Sequence, residues 1–222
     1  KEAAPVESAQ GSGKRSLASL FGARNRPILL LAAGLGITWI SRNGIMAFQS
    51  IYMTQLGGGE AMVGIMNMLG AVVEIPGMFW ADSLSKKYSP VQLLMAAFVI
   101  HALAFLGVIL FPSVESILVA QALNGLVLSL TVVSEIRFIQ LNTEESRTAE
   151  TIALITITLP AIVSIIFSPI SGAIFDARGA SVFYLIGLIG HLLAVVMLKA
   201  TLNGSTKRKS VSAATGDGDQ ED

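Results

Sequence analysis

Two opposite charges stand inside apolar runs of this chain. Arg42 lies within "LLLAAGLGITWISRNGIMAFQSIYM" and Glu74 within "VVEIPGMFWADSLSKK". A guanidinium and a carboxylate so placed can hold one another, bind a polar or anionic solute, or exchange a proton. Helical spacing gives each of them companions. Thr38, Arg42 and Gln49 share one face, and Asn67, Gly70, Glu74 and Met78 share another at i, i+3, i+7 and i+11. Further along, Gln121, Asn124, Thr131 and Glu135 form a third polar stripe, and Thr156, Pro160, Ser164, Ser168 and Ser171 a fourth. A fixed ion pair that sets helix packing and a pair that handles solute or protons both fit Arg42 and Glu74. The serine and threonine stripe fits cavity lining and helix–helix hydrogen bonding equally.

The elements that carry these residues follow from composition. Of the 222 residues, 53% are hydrophobic and 14% charged, where soluble domains carry about 25% charge. Crossing a bilayer core about 30 Å thick takes roughly 20 apolar residues of helix. Six segments qualify: 28–53, 61–84, 91–111, 116–140, 150–175 and 180–202. Between them stand loop signals: Gly57 to Gly59, Ser89 with Pro90, Phe111 to Ser113, Asn142 to Glu145, and Arg178 with Gly179. A soluble all-α protein would show polar residues every third or fourth position, and these runs do not. The fold class expected is an all-α, six-helix membrane bundle.

Several function classes drop out on residue counts. There is no cysteine and there are two histidines, which removes disulfides, thiolate nucleophiles and Cys-type metal sites. No nucleophile–base set or metal-ligand cluster is visible, so neither an enzyme nor a cofactor is expected. Net charge is zero, so nucleic acid is not an expected partner. The chain begins at Lys1 rather than Met, which suggests a fragment or a processed chain, and its first two dozen residues lack the short apolar core of a signal peptide.

Orientation follows from the basic residues. All but two of the fifteen, Arg42 and Arg178, fall in the N-tail, near Lys86 and Lys87, at Arg137 and Arg147, or from Lys199 onward. Those positions lie on one side of a six-span protein, so both termini are expected in the cytoplasm, with the plasma (inner) membrane as the location. Residues 1–26 read as a cytoplasmic linker, 27–202 as the transmembrane domain, and 203–222, ending "TGDGDQED", as a disordered cytoplasmic tail.

Depth sharpens the two charges. Glu74 stands about 20 Å along its helix from the outer end, and Arg42 about as far from the inner end of its own. Each therefore sits near mid-bilayer, where a charge costs about 2.5–3.5 kcal/mol against about 0.3–0.6 gained per Leu, Ile or Val. Spans one and two are antiparallel neighbours and can bring Arg42 and Glu74 face to face. Spans one, two, four and five are expected to line a polar cavity, with three and six outside against lipid; His101 and His191 are the polar exceptions on those two. Pro76, lacking an amide hydrogen, and Gly77 make a soft point after Glu74, and Pro160 can do the same in span five. Glu135 and Arg137, two apart near the inner interface, suit gate contacts better than solute binding.

The loop "FWADSLSKKYSP" after span two resembles that of the C-terminal half of a major facilitator superfamily transporter. That superfamily typically has there a glycine, an aspartate one turn on, and a basic pair, matched by Gly77, Asp82, Lys86 and Lys87. Tyr88 and Ser89 follow the basic pair, so the loop match is partial. "SGAIFDARGASVFYL" likewise resembles the junction of the last two helices. Glu74, Ile75 and Pro76 resemble a Glu-x-Pro in the branch that holds lactose permease and nucleoside proton symporters. Asn124 in "ALNGL" stands where that branch often has histidine, and His101 where it can carry a basic residue in the third helix.

The resemblance implies inverted three-helix repeats, a site near the midplane, and a missing N-terminal six-helix half as partner. It also implies alternating access for a small-molecule substrate, with protons as the coupling ion. On that reading Arg42, Glu74, Gln49, Asn67, Gln121, Asn124 and His101 bind solute or protons, and Pro76, Gly77, Asp82, Lys86, Lys87, Glu135 and Arg137 serve the gate. A non-transporting membrane scaffold or receptor is the alternative from another class.

Overall fold

The computed structural model describes residues 26–215. The expected linker therefore lies outside the described residues but for its last, Arg26, where the first helix begins. The helices are α1 (Arg26–Gln55), α2 (Glu60–Ser85), α3 (Pro90–Leu110), α4 (Val114–Asn142), α5 (Glu145–Ala153), α6 (Leu159–Arg178) and α7 (Val182–Thr215). A π-helical turn, Leu154–Thr158, joins α5 to α6 into one span. Six helical stretches are thus long and apolar enough to cross a membrane, in agreement with the six segments read from sequence.

Local chemistry sets the ends. Ser89 caps α3 through a reciprocal box with Gln92, and Pro90 starts the helix where no amide hydrogen is needed. Ser113 and Ser116 do the same for α4. Gly179, at φ 74°, ends α6 in a backbone region open to glycine. The π turn has its cause in "LITITLP": Pro160 offers no amide to the preceding turn, and the Leu159 amide reaches back to the Leu154 carbonyl, five residues away. The last helix departs from expectation. It continues past 202 to Thr215, so 203–215 is helical rather than an unstructured tail; Lys and Ala in "TKRKSVSAAT" are good helix formers. Residues 216–222 lie outside the described residues.

Packing runs in a chain of neighbours: α2 on α4, α4 on α3, α3 on α7, α7 on α1, and α1 on α6. Exchanging the first three spans for the last three maps this chain onto itself, as inverted repeats require. Lipid gives helices no hydrophobic reason to associate, so close contact between small residues and interhelical hydrogen bonds must do it. At the α2–α4 crossing, a side chain on Gly125 would collide with the Gly70 carbonyl oxygen, and one on Gly77 would come within 2.6 Å of Ser129 Oγ. Ser129 Oγ lies 2.9 Å from the Glu74 carbonyl and 3.0 Å from that of Gly125, so its hydroxyl ties the two backbones together. At the α1–α7 crossing Gly44 meets Phe183, and Gly190 meets Ser41.

The apolar core is split in two. One cluster, with Leu31, Leu94, Phe98, Ile139 and Leu198, fills the end that carries Lys86 and Lys87, here called the basic end. The other, with Met53, Met66, Phe105, Ile117 and Phe183, fills the opposite end. Arg42, His101, Asn124 and His191 fall on the layer between them. Ser41, buried beside Arg42, donates to the Thr38 carbonyl at 3.0 Å.

The glycine crossings give a stability test. Gly125→Ala should lower stability in detergent by about 1–3 kcal/mol, the cost of overpacking a closed contact. Gly107, which has open space around it, should tolerate alanine with no loss or a gain of about 0.4–1 kcal/mol. Thermal unfolding of the two variants checks the contrast.

Candidate functional site

Arg42 is the centre of the polar layer. Its Nη2 donates to Asn124 Oδ1 on α4 at 3.2 Å, and its guanidinium carbon stands 5.2 Å from the centroid of the Trp39 ring, one turn back on α1. Hydrogen bond and aromatic face together accommodate the charge, the latter contributing about 0.5–2 kcal/mol. The expected face-to-face pair of Arg42 and Glu74 does not form: no ion pair joins them. The reason is the packing order. Helix α1 lies against α6 and α7 while α2 lies against α4, so the guanidinium meets Asn124 first. Glu74 is half-buried on α2, and its carbonyl, rather than its carboxylate, is the group bound by Ser129.

Two cavities flank this layer. The first, about 270 Å³, runs from Arg42 towards the end opposite the basic residues. Gln49, Asn67, His101, Gln121 and Asn124 all line it with Arg42. Six of the seven residues singled out from sequence for solute or proton handling therefore gather at one site, and Glu74 is the exception. The polar groups are one guanidinium, four carboxamides and the His101 imidazole, with further wall from Ile45, Phe105 and Tyr184. Such a site offers both donors and acceptors with one positive charge. It suits a small polar solute, anionic or rich in acceptors.

The second cavity, about 190 Å³, runs from the same Arg42 towards the basic end. Thr38, Thr131, Glu135, Thr156 and His191 line it, and Arg42, His101 and Leu128 line both cavities. That shared trio is the partition between them.

Spans three and six correct an expectation. Helices α3 and α7 do present apolar surface, but His101 (3% exposed) and His191 (1%) turn inward and meet at 4.6 Å between ring centroids. A polar ring facing lipid would be costly, so these helices rotate it towards the bundle interior. His191 shares a hydrogen through Nδ1 with the Gly187 carbonyl at 2.8 Å. The serine stripe of span five splits in the other direction. Ser164 and Ser168 are exposed and within 3.4 Å of each other, Ser171 is joined to Asn43 on α1 at 3.0 Å, and only Thr156 reaches a cavity.

The residues assigned to a gate are placed as follows. Asp82 and Lys86 pair at 2.8 Å on the surface of α2, a contact worth about 0.3–0.5 kcal/mol. Arg137 Nη1 donates to Ser85 Oγ at 2.7 Å, and Ser85 donates to the Asp82 carbonyl, so the basic ends of α2 and α4 are tied. Lys87 is exposed. Pro76 stands exposed on an unbroken α2, with Gly77 in the α4 contact. Glu135 does not join its near neighbour Arg137; it is buried in the second cavity.

A family model described as the MFS_1 like family matches residues 5–186. The chain belongs to that family. Among curated proteins, none matches the chain. An MFS_1 like member with six long apolar helices is an integral multi-pass membrane protein of transporter type. Within this MFS_1 like chain no three His, Asp or Glu gather as a metal site among the described residues. Trp39, Phe105 and Tyr184 are site residues that pattern reading passed over. Trp39 had a signal, standing three residues before Arg42; Phe105 and Tyr184 read as ordinary core.

A double-mutant cycle separates the two candidate partners of Arg42. Thermal unfolding should show a coupling of about 0.5–3 kcal/mol between Arg42→Leu and Asn124→Leu, and none between Arg42→Leu and Glu74→Leu. Charge reversal of Arg42 and Glu74 together should recover nothing lost by the single reversals.

Proposed function

We propose that this chain is one half of a secondary transporter that moves a small polar solute by alternating access, coupled to protons. The observation that carries this is the pair of cavities in series, one towards each end of the bundle, separated at the level of Arg42. Alternating access needs a site near the midplane that can be reached from one end and then the other. Arg42 and His101, facing both spaces, suit that position. Arg42 anchors the solute's acceptor group, and Gln49, Asn67, Gln121 and Asn124 supply neutral hydrogen bonds. Arg137, Ser85, Asp82, Lys86 and Lys87 make the contacts that close the basic end, with Pro76 and Gly77 above them.

The other half fits the surface that this one leaves. Helices α2 and α6 carry large exposed apolar side chains, among them Phe79 at 75% and Ile165 at 77%. A lipid bilayer and a second six-helix unit together would cover them. The distribution of lysine and arginine supports both termini in the cytoplasm and a plasma (inner) membrane location. Likeness to the lactose permease and nucleoside symporter branch supports protons as the coupling ion. Glu74 and Glu135 are the carboxylates within the spans at depths where a proton could be carried.

Uptake into proteoliposomes against a panel of polar solutes tests the proposal. Arg42→Gln should lower uptake by about ten- to a hundredfold, matching a charge-assisted hydrogen bond of about 1.5–3 kcal/mol. The chain has no cysteine, so single cysteines can be read without background. Cysteine at Gln121 should react with membrane-impermeant thiol reagents. No reaction there, together with no uptake of any solute, would favour a scaffold or receptor that has no water-filled site.

A further inference from the structure

Glu135 is 6% exposed, and no hydrogen bond or ion pair engages its carboxylate among the described residues. It lines the second cavity, and the nearest charged residue on its own helix, Arg137, donates to Ser85 instead. The hydroxyls around that cavity divide into two kinds. Thr38 on α1 donates its hydrogen to the Leu35 carbonyl at 2.8 Å, and Thr156 in the π turn donates to the Ile152 carbonyl at 3.0 Å. With those hydrogens used, both oxygens face the cavity as acceptors only. Thr131, one turn before Glu135 on the same helix, is different. Its Oγ1 is buried and has no partner, one of four such atoms among the described residues; His101 Nδ1, on the same cavity, is another.

These walls treat the two states of a carboxyl group unequally and accommodate both. A protonated Glu135 would be a donor, and Thr38 and Thr156 are acceptors without other demands on their lone pairs. A bare Glu135 would be an acceptor, and Thr131 holds the free hydroxyl, rotatable and on the neighbouring turn. The charged and titratable groups that face the cavity from the packed helices are Arg42 on α1, His101 on α3 and His191 on α7; the α5 and π-turn side contributes Ile152 and Thr156, which carry no charge. Arg42, at the far end of the same cavity, carries a positive charge and would oppose a bound metal cation. A π turn beside the group is a frequent mark of a functional position in a helix.

We infer that Glu135, in the basic-end cavity, is the proton-binding group of this protein, alternating between a protonated state received by Thr38 and Thr156 and a bare state received by Thr131. The proton adds to a carboxylate oxygen from water in the cavity and leaves by the same route. This deepens the transporter reading and rests on it for the purpose of the proton, while the binding itself can be measured without transport.

The experiment is infrared difference spectroscopy of the intact protein in lipid vesicles, following the protonated-carboxyl C=O stretch as pH is varied. A titrating band should be present, absent in Glu135→Gln and retained in Glu74→Gln. Thr131→Val, which keeps the carboxyl group, should tighten proton binding about tenfold, because the bare form alone loses a donor. A band that persists in Glu135→Gln, or that is lost in Glu74→Gln, overturns the assignment. So does suppression of the band by sodium at fixed pH, which would mark a metal-cation site, or an unmoved titration in Thr131→Val. A Glu135 that titrates as expected in a protein that takes up no solute would sink the transporter reading and leave the proton site standing.

Discussion

A guanidinium at the middle of a bilayer has no water to hold it, and the bundle is arranged around supplying substitutes. Insertion at that depth costs about 2.5–3.5 kcal/mol, several times what one leucine returns. Asn124 gives Arg42 an acceptor from the neighbouring helix and Trp39 gives it an aromatic face. The cavities on either side leave open space beside it. None of the three neutralises it, so the charge stays available. A carboxylate in direct contact would have satisfied it and closed the site, and the packing order of the helices prevents that contact.

That packing order depends in turn on a few atoms' worth of missing side chain. Where α2 crosses α4, the backbones approach until the Gly70 carbonyl occupies the space a β-carbon on Gly125 would need. The approach fixes α2 to α4 and leaves α1 to pair with α6 and α7. Glycine at these positions and the Ser129 hydroxyl between them thus decide which polar residues face each other several turns away. The two apolar clusters, one at each end, keep the helices upright around the polar layer without filling it.

Much of this was legible before any coordinates. Length and apolarity determine the six spans to within a few residues at most ends, because hydrocarbon thickness is a hard constraint and the caps at Ser89 and Ser113 are written in the chain. Six of the residues picked as polar and mid-membrane share one cavity, since a polar group at that depth has few places to go. What stayed hidden was pairing. Helical periodicity says that Glu74 and Arg42 each occupy a face, and it carries no information about which helix that face meets. His101 and His191 show the same limit: a lone polar ring in an apolar helix turns inward, although the rest of the helix reads as lipid-facing. Glu135 read as an end-of-helix residue because its distance from the nearest loop is short; the cavity it is buried in is walled by residues of α1, α3, α7 and span five, which are remote in sequence.

The π turn at Leu154–Thr158 has one more consequence. A turn that closes on the fifth residue uses one residue more than an α-helical turn while adding little length, so everything after it is rotated by about 100° relative to a continuous helix. Upstream of it, span five presents Ile152 to the cavity, with Thr156 in the turn itself; downstream, the same span presents Ser171 to Asn43 on α1. The turn works as a phase shifter between two binding faces that a straight helix of this sequence could not satisfy at once. Relaxing it to ordinary α-helix would swing one face out of register while leaving every residue, and nearly the whole length of the span, in place.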